Sequence, residues 1–182
     1  MNVINTNLPG VLILQPKVFE DNRGFFKENF HLERYREIGI HLPFVQDNHS
    51  RSFKGVLRGL HFQKKFPQGK LVSCSQGEVF DVAVDINPKS ETFGKYVSVV
   101  LSGDNHNQLW VPPEYAHGFC VISDFADIHY KCTELYCPDD EGGLIWNDSE
   151  VNIDWPETKP HLSVKDEILP SLDEIRKSYG VI

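Results

Sequence analysis

The sequence has no long hydrophobic run and comparatively little positive charge. Its 182 residues include 26 acidic but only 18 basic side chains, which gives a formal net charge of −8. Nucleic acids and anionic membranes bind basic surfaces, so neither a nucleic acid polymer nor a membrane is expected as the main partner. A spanning helix requires about 18 or more consecutive apolar residues, and no such run is present. Because the N-terminus also lacks a basic, signal-like region, we expect a cytoplasmic protein.

Cysteine is scarce, and several common motifs are missing. The four cysteines show no C-x-x-C spacing, so we expect them to be ordinary thiols. The sequence contains neither a P-loop nor a G-x-G-x-x-G turn, so phosphate groups would have to be bound by side chains. A G-x-S-x-G nucleophile turn is missing as well, which gives no support for a hydrolase of that type.

What the sequence does contain is a series of short β-rich segments separated by Gly, Pro, Asn and Asp. EVFDVAVDI (residues 78–86) alternates clearly, with apolar residues on one face and acidic residues on the other. Helix signals are few. LERYREIGI (residues 32–40) is amphipathic, and Ser171 with Glu174 forms a capping box near the C-terminus. The pattern predicts one mainly β domain over residues 1–182, a barrel with a few short helices that are mostly C-terminal.

The segment GVLRGLHFQ (residues 55–63) places Arg58 and His61 among apolar residues. In a regular strand the two side chains would point to opposite faces, because their separation is odd. The simplest interpretation is then a core histidine beside a surface arginine. A bulge at Gly59 would instead turn both side chains toward the same side.

Other polar residues in apolar surroundings favour the second interpretation. Lys70 opens the strand segment KLVSC, and His117 lies between a proline turn and a strand. HYKCTELY (residues 129–136) adds residues at every second position, which in a strand would face a common cavity: Tyr130, Cys132, Glu134 and Tyr136. Taken together, these residues predict a barrel cavity that contains bases, phenols and cations.

A metal-binding cupin is an alternative, because His61 and His117 are well separated in a β-rich chain. Such a site normally has a second histidine two residues after the first and an acid soon afterwards. Here Gln63 occupies that position and no early acid follows. Two imidazoles and an amide bind divalent metals poorly, so no metal is expected.

Six segments together resemble the dTDP-4-dehydrorhamnose 3,5-epimerases, in order and over nearly the full chain. They are VFEDNRGFFKE, FVQDNHSRS, GVLRGLHFQ, VPPEYAHGF, HYKCTELYCPDDEGGLIWND and LSVKD. The resemblance implies a cupin-like β-jelly-roll that works as a homodimer without metal or redox cofactor. It also implies epimerisation of dTDP-4-dehydro-6-deoxy-D-glucose at C3 and C5. The product, dTDP-4-dehydro-L-rhamnose, leads to L-rhamnose in cell-surface polysaccharides such as lipopolysaccharide.

The resemblance assigns the chemistry to four residues. A 4-keto group acidifies the protons on C3 and C5. Inversion then needs a base on one face of the ring, an acid on the other, and a cation near the enolate oxygen. His61 matches the base and Asp166 the carboxylate that orients it. Tyr130 matches the acid, and Lys70 matches the cation close to the keto oxygen.

The resemblance also implies contacts with the nucleotide sugar. Lys165 matches a pyrophosphate or sugar contact, and Tyr136 matches the aromatic residue that stacks on thymine. The N-terminal segment is expected to cross to the partner of a homodimer and to place Arg23 and Glu28 at the partner's cavity. The full predicted set is Arg23, Glu28, Gln46, Asp47, Asn48, Arg58, His117, Tyr136, Glu141 and Lys165.

Several alternatives remain open. Close relatives keep much of this site while epimerising C5 alone or acting on another 4-keto nucleotide sugar. The complete set of four catalytic residues favours epimerisation at both carbons. A catalytically inert sugar-binding cupin would tolerate loss of the base or the acid, whereas this sequence has both. A metal-dependent cupin oxygenase or isomerase is the remaining enzyme alternative.

Overall fold

The computed structural model describes residues 1–180, and strands dominate these residues. In chain order the strands are β1 (Asn2–Asn5), β2 (Leu12–Gln15), β3 (Val18–Asp21), β4 (Gly24–Lys27), β5 (Gln46–Phe53), β6 (Leu57–Gln63), β7 (Lys70–Gln76), β8 (Glu78–Asp85), β9 (Tyr96–Ser102), β10 (Gln108–Val111), β11 (Tyr115–Val121), β12 (Phe125–Cys132) and β13 (Glu141–Gly143). A six-stranded sheet has the order β1-β2-β10-β7-β12-β5, and a five-stranded sheet has the order β13-β6-β11-β8-β9. Strands β3 and β4 form a separate hairpin. The prediction of a mainly β jelly roll is confirmed.

The main hydrophobic core lies between the two sheets. Val72 and Ile128 contribute to it from the six-stranded sheet, and Val79, Ala83 and Phe119 contribute from the five-stranded sheet. Each of these strands alternates, so every second side chain points into the space between the sheets. Removing this apolar surface from water is the principal term that holds the sheets together.

The alternation predicted for residues 78–86 is present in β8, but both of its faces are buried. Val82 and Val84 pack on the outer side of the five-stranded sheet, in a second apolar cluster. On the inner side, Asp81 has no exposed surface, and Asp85 is also buried. Strand β8 is an interior strand of a sheet that is covered on both faces, so its acidic residues are not at the protein surface.

Two short α-helices cover the outer faces of the sheets. The predicted amphipathic helix is α1 (Leu32–Glu37), and its buried Tyr35 packs against the six-stranded sheet. The predicted C-terminal helix is α2 (Leu172–Ser178), which starts at the predicted capping box and packs Leu172 and Ile175 on the five-stranded sheet. Two 3-10 turns, η1 (Pro138–Asp140) and η2 (Asp166–Ile168), complete the helical content of residues 1–180. No helix in this part of the chain is long and apolar enough to cross a membrane.

Two segments that looked like single strands in the sequence are shorter. VLILQPKVF divides into β2 and β3 at Pro16, because proline lacks the N–H that a strand ladder requires. HYKCTELY stays in β12 only as far as Cys132. Beyond that residue the chain leaves the sheet, so strand parity no longer decides where Glu134 points.

Candidate active site

A cavity of about 620 Å³ is lined by side chains from both sheets. Strands β5, β7 and β12 of the six-stranded sheet form one wall, and β6 and β11 of the five-stranded sheet form the opposite wall. The segment 161–166 closes one side. The cavity brings together all four predicted catalytic residues: His61, Lys70, Tyr130 and Asp166.

The bulge predicted at Gly59 is present and shapes this cavity. His61 lies opposite His117 on β11, whereas Arg58 lies opposite Phe119, so β6 contains one residue more than β11 over this stretch. The extra residue turns both Arg58 and His61 into the cavity. Gly59 has a φ of +119°, and a Cβ atom there would lie 2.6 Å from the backbone of β11. Only glycine fits this position.

His61 and Asp166 form a hydrogen-bonded pair although 105 residues separate them in the chain. His61 Nε2 lies 2.7 Å from Asp166 Oδ1. A carboxylate only accepts hydrogen bonds, so Nε2 carries the proton and Nδ1 keeps a lone pair. Burial would raise the pKa of Asp166, but hydrogen bonds from His61, Ser163 and the Gly59 backbone hold that pKa below its usual value. An ionised Asp166 therefore orients the imidazole as a base.

Lys70 places a buried ammonium group in the same cavity. Its Nζ atom donates to the backbone carbonyl of His61 at 3.3 Å, and no carboxylate within residues 1–180 forms an ion pair with it. Burial lowers the pKa of Lys70, because the low-dielectric surroundings disfavour its positive charge. This ammonium would stabilise negative charge that develops on a nearby oxygen during a reaction.

Tyr130 reaches the cavity from the wall opposite His61. It belongs to β12 of the six-stranded sheet, whereas His61 belongs to β6 of the five-stranded sheet. Burial raises the pKa of Tyr130, and the nearby Arg58 opposes this increase. The phenol therefore carries its proton at neutral pH, so a base and a proton donor face one space from two sides.

The predicted nucleotide contacts Tyr136, Glu141 and Lys165 form a cluster beside the catalytic pair. The Tyr136 hydroxyl donates to Glu141 Oε2 at 2.7 Å, and Lys165 forms an ion pair with Glu141. Burial would raise the pKa of Glu141, but Lys165 and Tyr136 hold it below its usual value. The hydrogen bond to Glu141 raises the pKa of Tyr136, whose half-exposed ring is accessible to a planar ligand.

Gln46 and Asn48 line the opposite wall from β5. Gln46 Nε2 donates to Asn48 Oδ1 at 2.9 Å, and Gln46 Oε1 accepts the backbone N–H of Tyr136 at 2.8 Å. These contacts link the β5 wall to the segment that carries Tyr136. Both residues were predicted, and both are brought into the cavity.

Asp47 is not brought into the cavity. It lies between Gln46 and Asn48 in β5, so strand alternation points it to the outer face of the sheet. There its carboxylate lies 2.5 Å from Lys131 Nζ. The expectation that Asp47 contacts the same ligand as its two neighbours conflicts with this placement.

Arg23 and Glu28 also lie away from the cavity of their own chain. Arg23 lies between β3 and β4 with 85% of its side chain exposed, and it forms an ion pair with Asp21 at 2.6 Å. Glu28 follows the hairpin and pairs with Arg34 at 2.5 Å. Within a single chain, neither residue contributes to the site.

Asp81 belongs to the site and was not predicted. Its Oδ1 atom lies 2.8 Å from His117 Nε2, and both side chains are buried. The carboxylate fixes the orientation of the His117 ring, which lines the cavity. The signal was present in the sequence, since Asp81 is an acidic residue between two apolar neighbours, but its partner on β11 is not a sequence neighbour.

Cys132 and Ser163 also line the cavity without having been assigned a role. Cys132 lies opposite Lys70 across β12 and β7, and burial raises the pKa of its thiol. The Ser163 hydroxyl accepts the backbone N–H of Asp166 at 3.1 Å, which anchors the start of η2 beneath the catalytic pair. Glu134 was expected to face the same cavity as Cys132, but it lies beyond the end of β12 and does not line the cavity.

Gln63 is used in the protein's own hydrogen bonding. Its Nε2 atom donates to the carbonyls of Phe66 and Leu135, and its Oε1 atom accepts the backbone N–H of Cys137 at 2.8 Å. Among residues 1–180, no three His, Cys, Asp or Glu side chains are grouped so that they could hold a metal ion. Gln63 thus has a structural role at the end of β6.

Comparison with known proteins identifies relatives over almost the whole chain. The family model described as dTDP-4-dehydrorhamnose 3,5-epimerase matches residues 5–174. The dTDP-4-dehydrorhamnose 3,5-epimerase of Escherichia coli strain K12 is 56% identical over 178 residues, which are 96% of each chain. Among solved structures, dTDP-6-deoxy-D-glucose-3,5-epimerase from Legionella pneumophila in complex with dTDP-4-keto-L-rhamnose has a TM-score of 0.94 at 51% identity, covering 97% of this chain and 95% of that one.

A more distant relative shares the fold but is named for a narrower reaction. It is a 3′-monoepimerase from Streptomyces bikiniensis, solved in complex with dTDP-quinovose. Its TM-score is 0.89 at 29% identity, covering 97% of this chain and 90% of that chain. The same architecture therefore occurs in proteins named for one epimerisation and in proteins named for two.

Proposed function

The chain belongs to the dTDP-4-dehydrorhamnose 3,5-epimerase family, and we propose that the cavity between its two sheets is the active site. The protein is an isomerase. It epimerises dTDP-4-dehydro-6-deoxy-D-glucose at C3 and C5 to give dTDP-4-dehydro-L-rhamnose, a step of dTDP-L-rhamnose biosynthesis. The observation that carries the proposed site is the His61–Asp166 pair, which faces Tyr130 across one cavity.

In the proposed mechanism, His61 removes the proton next to the ketone. The electrons of the broken C–H bond pass into the ring as an enolate, and the Lys70 ammonium offsets the charge on its oxygen. Tyr130 returns a proton to the same carbon from the opposite face, which inverts the centre. Asp166 holds the imidazole in place and stabilises its protonated form. The ketone itself delocalises the electrons, so these four residues supply every group that the exchange requires.

The proposed nucleotide contacts follow from the same geometry. Arg58 and Lys165 provide the cations for the diphosphate, and the half-exposed ring of Tyr136 provides a surface for thymine. Gln46, Asn48, His117 and Glu141 complete this set with hydrogen-bonding groups on the walls of the cavity.

We also propose that the protein is a homodimer in which the β3–β4 hairpin of each chain completes the cavity of its partner. The support is the exposure of the hairpin: Phe19, Phe25 and Phe26 are 53%, 58% and 70% exposed, with Arg23 beside them. Large apolar patches of this kind are typical of contact surfaces. A fully active monomer in a solution mass measurement would contradict this proposal.

Two further proposals concern the whole chain. Residues 1–182 form one epimerase domain, since the core between the sheets and the two outer clusters together draw on strands from the whole β-rich region. The enzyme works in the cytoplasm, where the four cysteines, all free thiols, are stable.

The experiment that tests the active site is proton NMR of dTDP-4-dehydro-6-deoxy-D-glucose with the protein in D₂O. We expect deuterium to enter at both C3 and C5. His61→Ala should slow both exchanges by about a hundredfold or more, because a positioned base contributes at least that much. Deuterium at one carbon alone would identify a mono-epimerase, as the Streptomyces relative is named. Unchanged exchange in His61→Ala would contradict the role of His61.

A further inference from the structure

Arg58 is held by a single side-chain contact. Its Nε atom donates to the hydroxyl oxygen of Ser52 at 2.8 Å. In the described part of the chain the guanidinium makes no other side-chain hydrogen bond, and no carboxylate pairs with it. The contact joins β5 of the six-stranded sheet to β6 of the five-stranded sheet.

Ser52 is almost completely enclosed. Only 2% of its surface is exposed, and it is the one buried residue of β5, which is otherwise exposed or partly exposed along its length. A buried hydroxyl needs a hydrogen-bond partner, and here the partner is a charged N–H group, which gives a stronger bond than a neutral one. The position of Arg58 is therefore fixed by a group that does not itself line the cavity.

The atom that Ser52 holds determines what the rest of the guanidinium can do. With Nε occupied by Ser52, Nη1 and Nη2 have no side-chain hydrogen-bond partner among residues 1–180, and Arg58 lines the cavity. Two parallel N–H groups match two oxygens of a phosphate. A flexible arginine would have to lose side-chain entropy on binding, and the contact with Ser52 restricts Arg58 before the ligand arrives.

We propose that Ser52 is a positioning residue for the diphosphate of the substrate, acting through Arg58. This inference rests on the proposed role of Arg58 in nucleotide binding. It assigns Ser52 a part in affinity for the diphosphate and no part in proton transfer.

The test compares ligands with and without phosphate. Dissociation constants of dTDP and thymidine are measured by calorimetry, together with kcat and KM, for wild type and Ser52→Ala. We expect the dissociation constant of dTDP and the KM to rise about tenfold in Ser52→Ala. This is the size of effect expected when a hydrogen bond to a charged group is lost. The dissociation constant of thymidine and the kcat should stay within about twofold of wild type, since neither depends on the paired N–H groups that Arg58 offers to a phosphate. Ser52→Thr, which keeps the hydroxyl, should restore dTDP affinity.

Two controls separate positioning from general damage to the fold. Ser102 is another buried serine, 3% exposed, whose hydroxyl accepts the backbone N–H of Asn105 far from the cavity wall. Ser102→Ala should lower the melting temperature without changing dTDP affinity. In an Arg58→Ala background, adding Ser52→Ala should weaken dTDP binding no further, because the effect passes through Arg58.

Three results would overturn the inference. They are unchanged dTDP affinity in Ser52→Ala, equal loss of dTDP and thymidine affinity, and an additive loss in the double variant. Wild-type protein that failed to bind dTDP would overturn the proposed function and this inference with it. If the wild type binds dTDP, any one of the three results would overturn the inference and leave the proposed function standing.

Discussion

At the scale of single residues, one glycine determines the layout of the active site. Gly59 provides the extra residue of the β6 bulge, and its backbone N–H helps to keep the pKa of Asp166 low. It therefore turns His61 and Arg58 into the cavity and also supports the partner of His61. The backbone of β11 passes so close that Gly59 has no room for a side chain.

Replacing Gly59 by alanine should destabilise the protein by much more than the cost of holding alanine at a positive φ angle. Gly39, just after α1, also has a positive φ, +93° against +119°, but no atom lies within 4 Å of the place that a methyl group would take there. Gly39→Ala thus measures the conformational cost, about 1–2 kcal/mol. Gly59→Ala adds a clash at 2.6 Å, so we expect a melting temperature lower by about 10 °C or more. Circular dichroism melts of both variants check this.

Equal melting temperatures for Gly59→Ala and Gly39→Ala would show that β11 moves aside without cost. The bulge would then tolerate a side chain, and glycine at this position would reflect its backbone angle alone.

At the scale of elements, strands β5 and β12 share a polar outer face that is separate from the active site. Asp127 on β12 is buried, and it receives two hydrogen bonds from Arg51 on β5, at 2.8 Å and 2.5 Å. His49 lies 3.3 Å from the same carboxylate. The hydrogen bonds from Arg51 lower the pKa of Asp127 to about 2.

This pair predicts a definite pH dependence of stability. Because the folded-state pKa of Asp127 is depressed from 3.8 to about 2, its contribution is complete above pH 3.8 and is lost as the pH falls toward 2. Arg51→Met should lower the melting temperature by about 2–4 °C at pH 7. The difference from wild type should shrink below pH 4. Arg51→Lys keeps the charge but not the paired geometry, so its melting temperature should lie between those of wild type and Arg51→Met.

Melting temperatures of the three proteins, measured between pH 3 and pH 7, provide the test. A difference that stays constant over that range would mean that Arg51 acts through packing on Phe125, over whose ring it lies at 4.9 Å, rather than through Asp127.

The elements that could be predicted from the sequence are those with a local signal. The alternation of β8 and the capping box of α2 were readable because each depends on neighbours within a few residues. The bulge at Gly59 was also readable, since a glycine between two polar residues is a local pattern. The placement of Asp47 follows from the same strand alternation once Gln46 is known to face inward.

Contacts between distant segments could not be read in this way. Nothing local to Asp81 indicates that His117 lies beside it. His61 and Asp166 are 105 positions apart, and no local pattern indicates their contact. The resemblance to a family supplied Asp166, whereas Asp81, Ser52 and Ser163 required the structure. Their roles depend on which strands are adjacent, and strand order is a property of the whole fold.

At the scale of the whole molecule, the hairpin of β3 and β4 is the part that a single chain leaves exposed. Its aromatic residues are more than half exposed, and Arg23 lies far from the cavity of its own chain. If the hairpin completes the cavity of a partner, each active site draws residues from two chains: Arg23 from one and His61 from the other.

This arrangement predicts that two defective chains restore activity when mixed. Arg23→Ala damages only the hairpin and His61→Ala only the cavity. After unfolding and refolding together in equal amounts, about half of the dimers should be mixed, and each mixed dimer contains one complete site. The mixture should then regain about a quarter of wild-type activity, beyond the sum of the two variants measured alone. If Arg23 instead contributed to the cavity of its own chain, no site in the mixture would contain both Arg23 and His61. The activity of the mixture would then be only the average of the activities of the two variants.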